Sequence, residues 1–504
     1  MRNSGHETNI TKLRRKVFVE VARVAFESEK INNDIEAIPY KITPTEKPQY
    51  RESVYRERAI ASERVRLAMG MSLNPQDRPA HITNGLSYSN ISDNYYEPPL
   101  MQVIPSACDK CEDNAYRVTD QCRSCVSRYC VKVCPRGAVS IDEKTGKSKI
   151  DDAKCIKCGK CREACPYEAI VRIARPCARA CGVKAISSDS LGRAQIDTAK
   201  CVGCGQCMVH CPFGAIADKS QIYQLIRAIR NGDDVVAAVA PSIVGQFGED
   251  VSLWTLKAAL KDVGFKEVFE VALGADVGAA TEAHHFATEV ATGELPFLLT
   301  SCCPSWSMLA KTQFPEMIGK VSNALTPMVA TARSIKQKRP YARVVFIGPC
   351  AAKKLEAMRK TVRSDVDFVI TFEELAAIFE AKGIDFETYE KSEPIHDATG
   401  AGRGYAVAGG VAAAVGACIR EYYPDVEVKI EHAEGLADCK KILMLAKAGK
   451  MNGCLIEGMA CPGGCVGGAG VNLPAEKGAA AVKKFVGDST KQIPDKELYD
   501  IKLP

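Results

Sequence analysis

The chain has 504 residues, 46% of them apolar and 25% charged, enough to bury several cores and to predict about three domains of ordinary size. Its net charge of +6, from 67 Lys and Arg against 61 Asp and Glu, is spread without a block of like charge, which argues against nucleic-acid binding. The 24 cysteines recur at short spacings in a long chain, which points to metal ligation in a reducing compartment rather than to disulfides.

Residues 1–104 hold no cysteine and predict a helical adaptor over the metal domains. Leu13, Val17, Val21 and Val24 fall at helical spacing, and the Arg-, Glu- and Ala-rich stretch from Val54 to Met69 predicts a second helix closed by Gly70. Pro39, Pro44 and Pro48 are expected to break the chain between them, and residues 83–106 to form a long loop. The N-terminus has no apolar signal core, and Arg14-Arg15 opens a charged amphipathic stretch rather than an export signal. No segment approaches the roughly 20 apolar residues of a membrane helix. The expectation is a cytoplasmic protein that binds neither membrane nor nucleic acid.

Residues 105–218 carry an internal repeat that holds 16 of the 24 cysteines. Cys155, Cys158, Cys161 and Cys165-Pro166 form one complete Cys-x2-Cys-x2-Cys-x3-Cys-Pro run, and Cys201, Cys204, Cys207 and Cys211-Pro212 form another. Degenerate copies are Cys122, Cys125, Cys130 and Cys134-Pro135, the pair Cys177 and Cys181, and the pair Cys108 and Cys111. Soft thiolates at this spacing suit 4Fe-4S cubanes, with one loop wrapping three corners and a distant cysteine supplying the fourth. Under that crossover, Cys155, Cys158 and Cys161 join Cys134; Cys122, Cys125 and Cys130 join Cys165; and Cys201, Cys204 and Cys207 join Cys181. Cys108, Cys111, Cys177 and Cys211 remain as a fourth set joined by no known run, so three or four clusters are expected. Structural zinc is the alternative for such cysteine pairs.

Residues 219–504 read as an α/β domain with a short C-terminal tail. Val235–Ala240, Phe297–Thr300, Val344–Ile347, Phe368–Ile370 and Cys454–Ile456 are apolar runs of buried-strand type, separated by helical patterns. Thr371-x-x-Glu374 predicts a capping box. Three of the runs lead into cysteine motifs: Thr300-Ser301-Cys302-Cys303-Pro304-Ser305-Trp306, Pro349-Cys350-Ala351-Ala352-Lys353, and Met459-Ala460-Cys461-Pro462-Gly463-Gly464-Cys465. Ligands gather at the carboxyl ends of strands in open α/β sheets, so the three motifs are expected to converge on one crevice.

These three motifs, with the ferredoxin runs before them, resemble the signatures of the iron-only, diiron hydrogenases, over residues 108 to about 475. The resemblance implies an α/β catalytic domain, two lobes with parallel-type sheets around a central cofactor crevice, joined to α+β bacterial ferredoxin-like domains and the helical N-terminal region. It implies reversible combination of protons and electrons to molecular hydrogen, with ferredoxin or a similar low-potential carrier as partner and dedicated maturation proteins inserting the cofactor. By resemblance Cys303, Cys350, Cys461 and Cys465 hold a 4Fe-4S cubane, and Cys465 bridges it to a diiron unit bearing carbon monoxide, cyanide and a dithiolate. Lys353, Met459 and the Ala240-Pro241-Ser242 segment match residues that contact this unit, and the glycines of the third motif are expected to let backbone approach the cluster. Cys302 matches the thiol that passes protons, with Glu282, Ser322 and Glu356 as further members of the path. His285 stands where a second acid is usual, Gly348 where a methionine lies, Met328 where a glutamine is expected, and the third motif ends Gly468-Ala469-Gly470-Val471-Asn472 instead of in three glycines. Cys418, Cys439 and Cys454 read as buried structural thiols, and His81, His210, His396 and His432 show no ligand pattern. Two other readings stand beside the enzyme: a non-catalytic iron-sulfur carrier or cluster-assembly scaffold, and a hydrogen sensor.

Overall fold

The N-terminal helices form because their apolar stripes meet a shared core. A computed structural model describes residues 7–89, 98–389, 398–501 and 503. The first helix, Asn9–Glu27, is closed at its start by a reciprocal Thr8–Thr11 capping box and buries Val17, Val21 and Val24. It packs on the helices Ile222–Arg230 and Phe372–Lys382, so the N-terminal region shares one core with the α/β part rather than covering the metal domains alone. Pro39 does not break the chain: it lies inside the helix Ile31–Ile42. A proline removes one ladder hydrogen bond there, and burial of Ile35, Ile38 and Ile42 offsets that loss. The helix Val54–Ala68 ends just before Gly70, whose φ of +77° is the left-handed turn expected of a helix stop. The expected loop 83–106 contains a short helix, Leu86–Ser89, and the strand Met101–Val103, while residues 90–97 lie outside the described residues.

The cysteine-rich region is built as one ferredoxin-like unit inserted in another. Met101–Val103 pairs antiparallel with Ile216–Asp218, bracketing the whole region, and Ile186–Ser188 pairs with Ala194–Ile196 inside it. Between them sits a second unit in which Ala115–Val118 pairs with Ile170–Ile173, and Val139–Ile141 with Ser148–Ile150. The repeat seen in sequence is repeated in the backbone: Ala138, Ala185 and Ala215 each donate an N–H to the thiol four residues earlier, Cys134, Cys181 and Cys211, at 3.2–3.3 Å.

Two parallel sheets form the remainder. One has the order Glu267–Glu270, Val235–Val239, Arg343–Gly348, Phe368–Thr371, and the other Leu298–Leu299, Cys454–Met459, Lys429–Glu434. The five runs expected as strands are strands. Glu267–Glu270 and Lys429–Glu434 were not legible because neither is a continuous apolar run: the first begins and ends with Glu, and the second, Lys-Ile-Glu-His-Ala-Glu, is mostly exposed. The capping box at Thr371 and Glu374 forms as expected.

Candidate active site

Parallel pairing puts the carboxyl ends of the strands in each sheet on one side, and the three motifs follow those ends. Cys302, Cys303, Cys350, Lys353, Cys461 and Cys465 consequently line a single, largely apolar cavity, although they span more than 160 positions in sequence. Ala240, Pro241, Ser242, Met328 and Met459 complete its wall.

Local structure holds each thiol. Cys303 stands at the N-cap position of the helix Pro304–Gln313, and the nearby N–H groups of Ala460, Trp306 and Ser305 favour its thiolate. Trp306 is fully buried and donates its ring N–H to the Thr300 carbonyl at 3.0 Å, which locks this motif against the strand before it. A side chain at Gly458 would lie inside that ring, 2.1 Å from its nearest atom. Two glycines of the third motif let backbone segments touch. At Gly464 a Cβ would come 2.4 Å from the Ala408 amide nitrogen, and at Gly468 it would come 2.4 Å from the Pro349 carbonyl. The second contact joins the second and third motifs. With φ +87° and ψ −154°, Gly464 also sits where side chains are strained, so Gly464→Ala is expected to destabilise the fold by about 3 kcal/mol or more. A thermal melt of the variant tests it.

Gly348 has a cause within this chain. A Cβ there would meet the Phe346 ring at 2.4 Å, and Phe346 itself lines the cavity. The bulk of the expected methionine is supplied by a phenylalanine two residues earlier.

Burial pushes the thiol of Cys350 up to about 11, and raises Cys303, Cys461 and Cys465 likewise, with Cys303 adding to the shift of the other three. Four such thiols in an apolar cavity ionise together only around a polycation, so the donor set fits an iron-sulfur cubane. Among the described residues no three of His, Cys, Asp and Glu close on a point as a single zinc ion requires. The cavity also carries buried polar atoms without partners, Ser242 Oγ and Tyr405 Oη, of the kind that hydrogen-bond a polar group seated inside. Tyr405 escaped the sequence reading because it belongs to none of the motifs.

Lys353 reaches the Cys302 carbonyl at 3.3 Å and Glu356 at 2.6 Å. Glu356 is therefore the ion partner of Lys353. Glu282 is 2% exposed, and its Oε1 accepts the Ser301 N–H at 3.1 Å and hydroxyl at 3.3 Å, while Ser322 hydrogen-bonds the same carboxyl. Its Oε2 has no partner. Desolvation raises its pKa to about 7 from 4.5. Between those values the folded protein holds a proton that the unfolded chain has released, so stability falls as pH rises through the window. Glu282→Gln is expected to be more stable than the parent by roughly 3 kcal/mol above pH 7 and equal to it below pH 4.5. Denaturation at pH 5 and pH 8 measures the difference; a pH-independent gap rules out the raised carboxyl. His285, one turn on, pairs through Nε2 with Glu289 at 3.1 Å.

Glu457 is a buried acid that sequence reasoning missed. It is fully buried within the strand Cys454–Met459 and accepts the N–H groups of Gly409 and Ala412 at 2.8 Å, holding the start of the helix Gly410–Tyr422. Cys418, Cys439 and Cys454 are buried, and His210 bonds its own helix at the Gln206 carbonyl. His396 lies outside the described residues.

Some members of each of the four expected sets lie near one another. Cys108, Cys111, Cys177 and Cys211, the set with no known run, line one small cavity. Cys201, Cys204 and Cys207 each feel Cys181, Cys161 feels Cys155 and Cys134, and Cys122 and Cys130 both bond Ser148. The sets adjoin in series: Cys207 feels Cys177 of the next set, and Cys204, its thiol pushed up to about 12 by burial, feels Cys303 of the main cavity.

Residues 233–469 match the family described as the iron-only hydrogenase large subunit, C-terminal domain. Residues 121–169 match a 4Fe-4S dicluster domain, and residues 171–222 an iron-sulfur cluster-binding domain of LdpA type. The chain is 30% identical over 51% of its length to the NADP-reducing hydrogenase subunit HndD of Solidesulfovibrio fructosivorans, and 29% identical over 66% of its length to iron hydrogenase 1 of Clostridium pasteurianum. It spans 53% and 66% of those relatives' own lengths. A shorter similarity, 32% identity over 30% of this chain and 26% of the relative, links it to the cytosolic Fe-S cluster assembly factor NAR1 of Kluyveromyces lactis. Because the matched segment contains all three motifs that meet in the cavity, and the ferredoxin matches cover the serial cysteine sets, the chain is an iron-only hydrogenase-like protein with 4Fe-4S cluster domains.

Proposed function

We propose that this protein is a hydrogenase that interconverts protons, electrons and molecular hydrogen. The observation that carries the reading is the placement of Cys302 beside the cluster cysteine Cys303 in the apolar cavity, with buried Glu282 bonded to the adjacent Ser301. A structural cubane site has no need of a second thiol or of a carboxyl poised near neutrality.

In this reading Cys303, Cys350, Cys461 and Cys465 hold a cubane, with a diiron unit attached through Cys465, between two lobes that each contribute one parallel sheet. When bound, the six-iron group supplies the hydrogen chemistry. The chain does the rest. Lys353, Met459 and the Ala240–Ser242 segment orient the group, and the apolar wall excludes water. Cys302, Glu282 and Ser322 move the proton; Glu356 helps keep the buried Lys353 charged. Electrons arrive singly through the four cysteine sets from ferredoxin or a similar low-potential carrier, in the cytoplasm of an anaerobic cell, after maturation proteins have inserted the diiron unit.

The similarity to an assembly factor favours a second reading, a cluster scaffold without turnover. An infrared spectrum of anaerobically purified protein supplied with the diiron cofactor separates the two. Carbonyl and cyanide bands that shift under hydrogen are expected of the hydrogenase; cubane absorption without such bands supports the scaffold.

A further inference from the structure

A second cavity, of about 730 Å³, opens between the N-terminal helices and the turn after Cys211. Apolar side chains of Ile10, Leu13, Val17, Ile60 and Met208 line it, and three guanidinium groups, of Arg14, Arg51 and Arg64, converge on it. Nothing in the hydrogen chemistry uses these arginines.

Their charges are poorly balanced. Arg14 has a carboxylate partner, a two-pronged pair with Glu373 at 2.6 and 2.8 Å. Arg64 is 8% exposed, yet its recorded hydrogen bond is to a neutral group, the Gly214 carbonyl, 2.6 Å from Nη2. Arg51 donates to the Ala107 and Phe213 carbonyls at 3.1 and 2.9 Å and lies over the Phe213 ring. Glu57, another acid on the wall, is taken up by the backbone N–H groups of Gln49, Tyr50 and Arg51. Among the described residues no carboxylate forms an ion pair with Arg51 or Arg64. Burial, with repulsion from Arg14 and Arg51, outweighs the pull of Cys211 and Glu373 and lowers the Arg64 pKa to about 10.

A buried cation is normally paired, because leaving water without a counter-ion costs several kcal/mol. The start of the 19-residue helix Asn9–Glu27 lines the same space and adds the partial positive charge of a helix N-terminus. The guanidinium fork matches phosphate in geometry, and the volume falls within the roughly 300–1,000 Å³ of small-molecule sites. We propose that this cavity binds a phosphate-bearing organic anion of nucleotide size, its phosphate on Arg51 and Arg64 and its apolar body against Ile10, Val17 and Ile60. The site stands whether or not the protein turns over hydrogen.

Flavin mononucleotide, adenosine monophosphate and inorganic phosphate are the probes, titrated into the full-length protein with its clusters and followed by calorimetry. Saturable one-to-one binding of either nucleotide is expected, weakened at least tenfold in Arg51→Met and in Arg64→Met. Ala61→Trp, which fills the cavity from its wall, is expected to abolish nucleotide binding, and it decides the matter if Arg64→Met fails to fold. The proposal is overturned if neither nucleotide binds saturably, or if binding is unchanged in both Arg51→Met and Ala61→Trp. Binding of inorganic phosphate as tight as that of the nucleotides, and insensitive to Ala61→Trp, overturns the organic ligand in favour of a simple anion site.

Discussion

Cys302→Ala is expected to lower hydrogen turnover by about three orders of magnitude while iron content and the infrared bands of the bound cofactor stay as in the parent. The reason is the division of labour between two adjacent thiols. Cys303 stands at the N-cap position of a helix and faces the other cluster cysteines, while Cys302 lies in the same wall beside the segment that bonds Glu282. Burial, reinforced by Glu282, pushes the Cys302 thiol well above its ordinary value, so it rests neutral and carries a proton. An alanine keeps the packing and removes the only exchangeable proton at that point in the wall. Full activity in the variant takes Cys302 out of the path, and loss of iron along with activity assigns it a structural role instead.

Lys354→Met is expected to cost about 3–5 kcal/mol of stability, the largest effect foreseen for a single residue outside the cluster cysteines. Lys354 is fully buried and gathers Asp218 at 2.7 Å, Glu374 at 2.7 Å and the Lys219 carbonyl at 2.9 Å. Asp218 ends the last strand of the ferredoxin-like region, and Glu374 is the capping-box residue of the helix Phe372–Lys382, so one ammonium ties two regions together. Methionine fills the space and leaves two buried carboxylates facing each other without a cation. Urea denaturation followed by the fluorescence of Trp254 and Trp306 measures the loss. Combining Lys354→Met with Asp218→Asn and Glu374→Gln is expected to recover most of it, because the neutral amides no longer repel; no recovery refutes the charge argument.

Much of the site was legible because its chemistry is local. The ferredoxin runs encode their ligand sets in spacing, since one loop wraps three corners of a cube, and the four cysteines left over from the crossover, Cys108, Cys111, Cys177 and Cys211, line one cavity. The three cysteine motifs were readable as strand ends because each follows a buried apolar run. Polar edge strands such as Lys429–Glu434 carry no such pattern, and Pro39 misled because a helix with a buried face tolerates one missing bond.

The sequence by itself determined which thiols are available, the positions of five buried strands and the presence of an iron-only hydrogenase-like site. Only the tertiary structure decided what faces what. It paired Glu356 with Lys353, set the Phe346 ring against Gly348, placed Tyr405 in the cavity wall, buried Glu457 against the start of a neighbouring helix, and set the N-terminal helices around an arginine-lined cavity. The physical reason is range: ligand spacing and hydrophobic period act between near neighbours in the chain, whereas burial and charge pairing depend on segments brought together from positions more than a hundred residues apart.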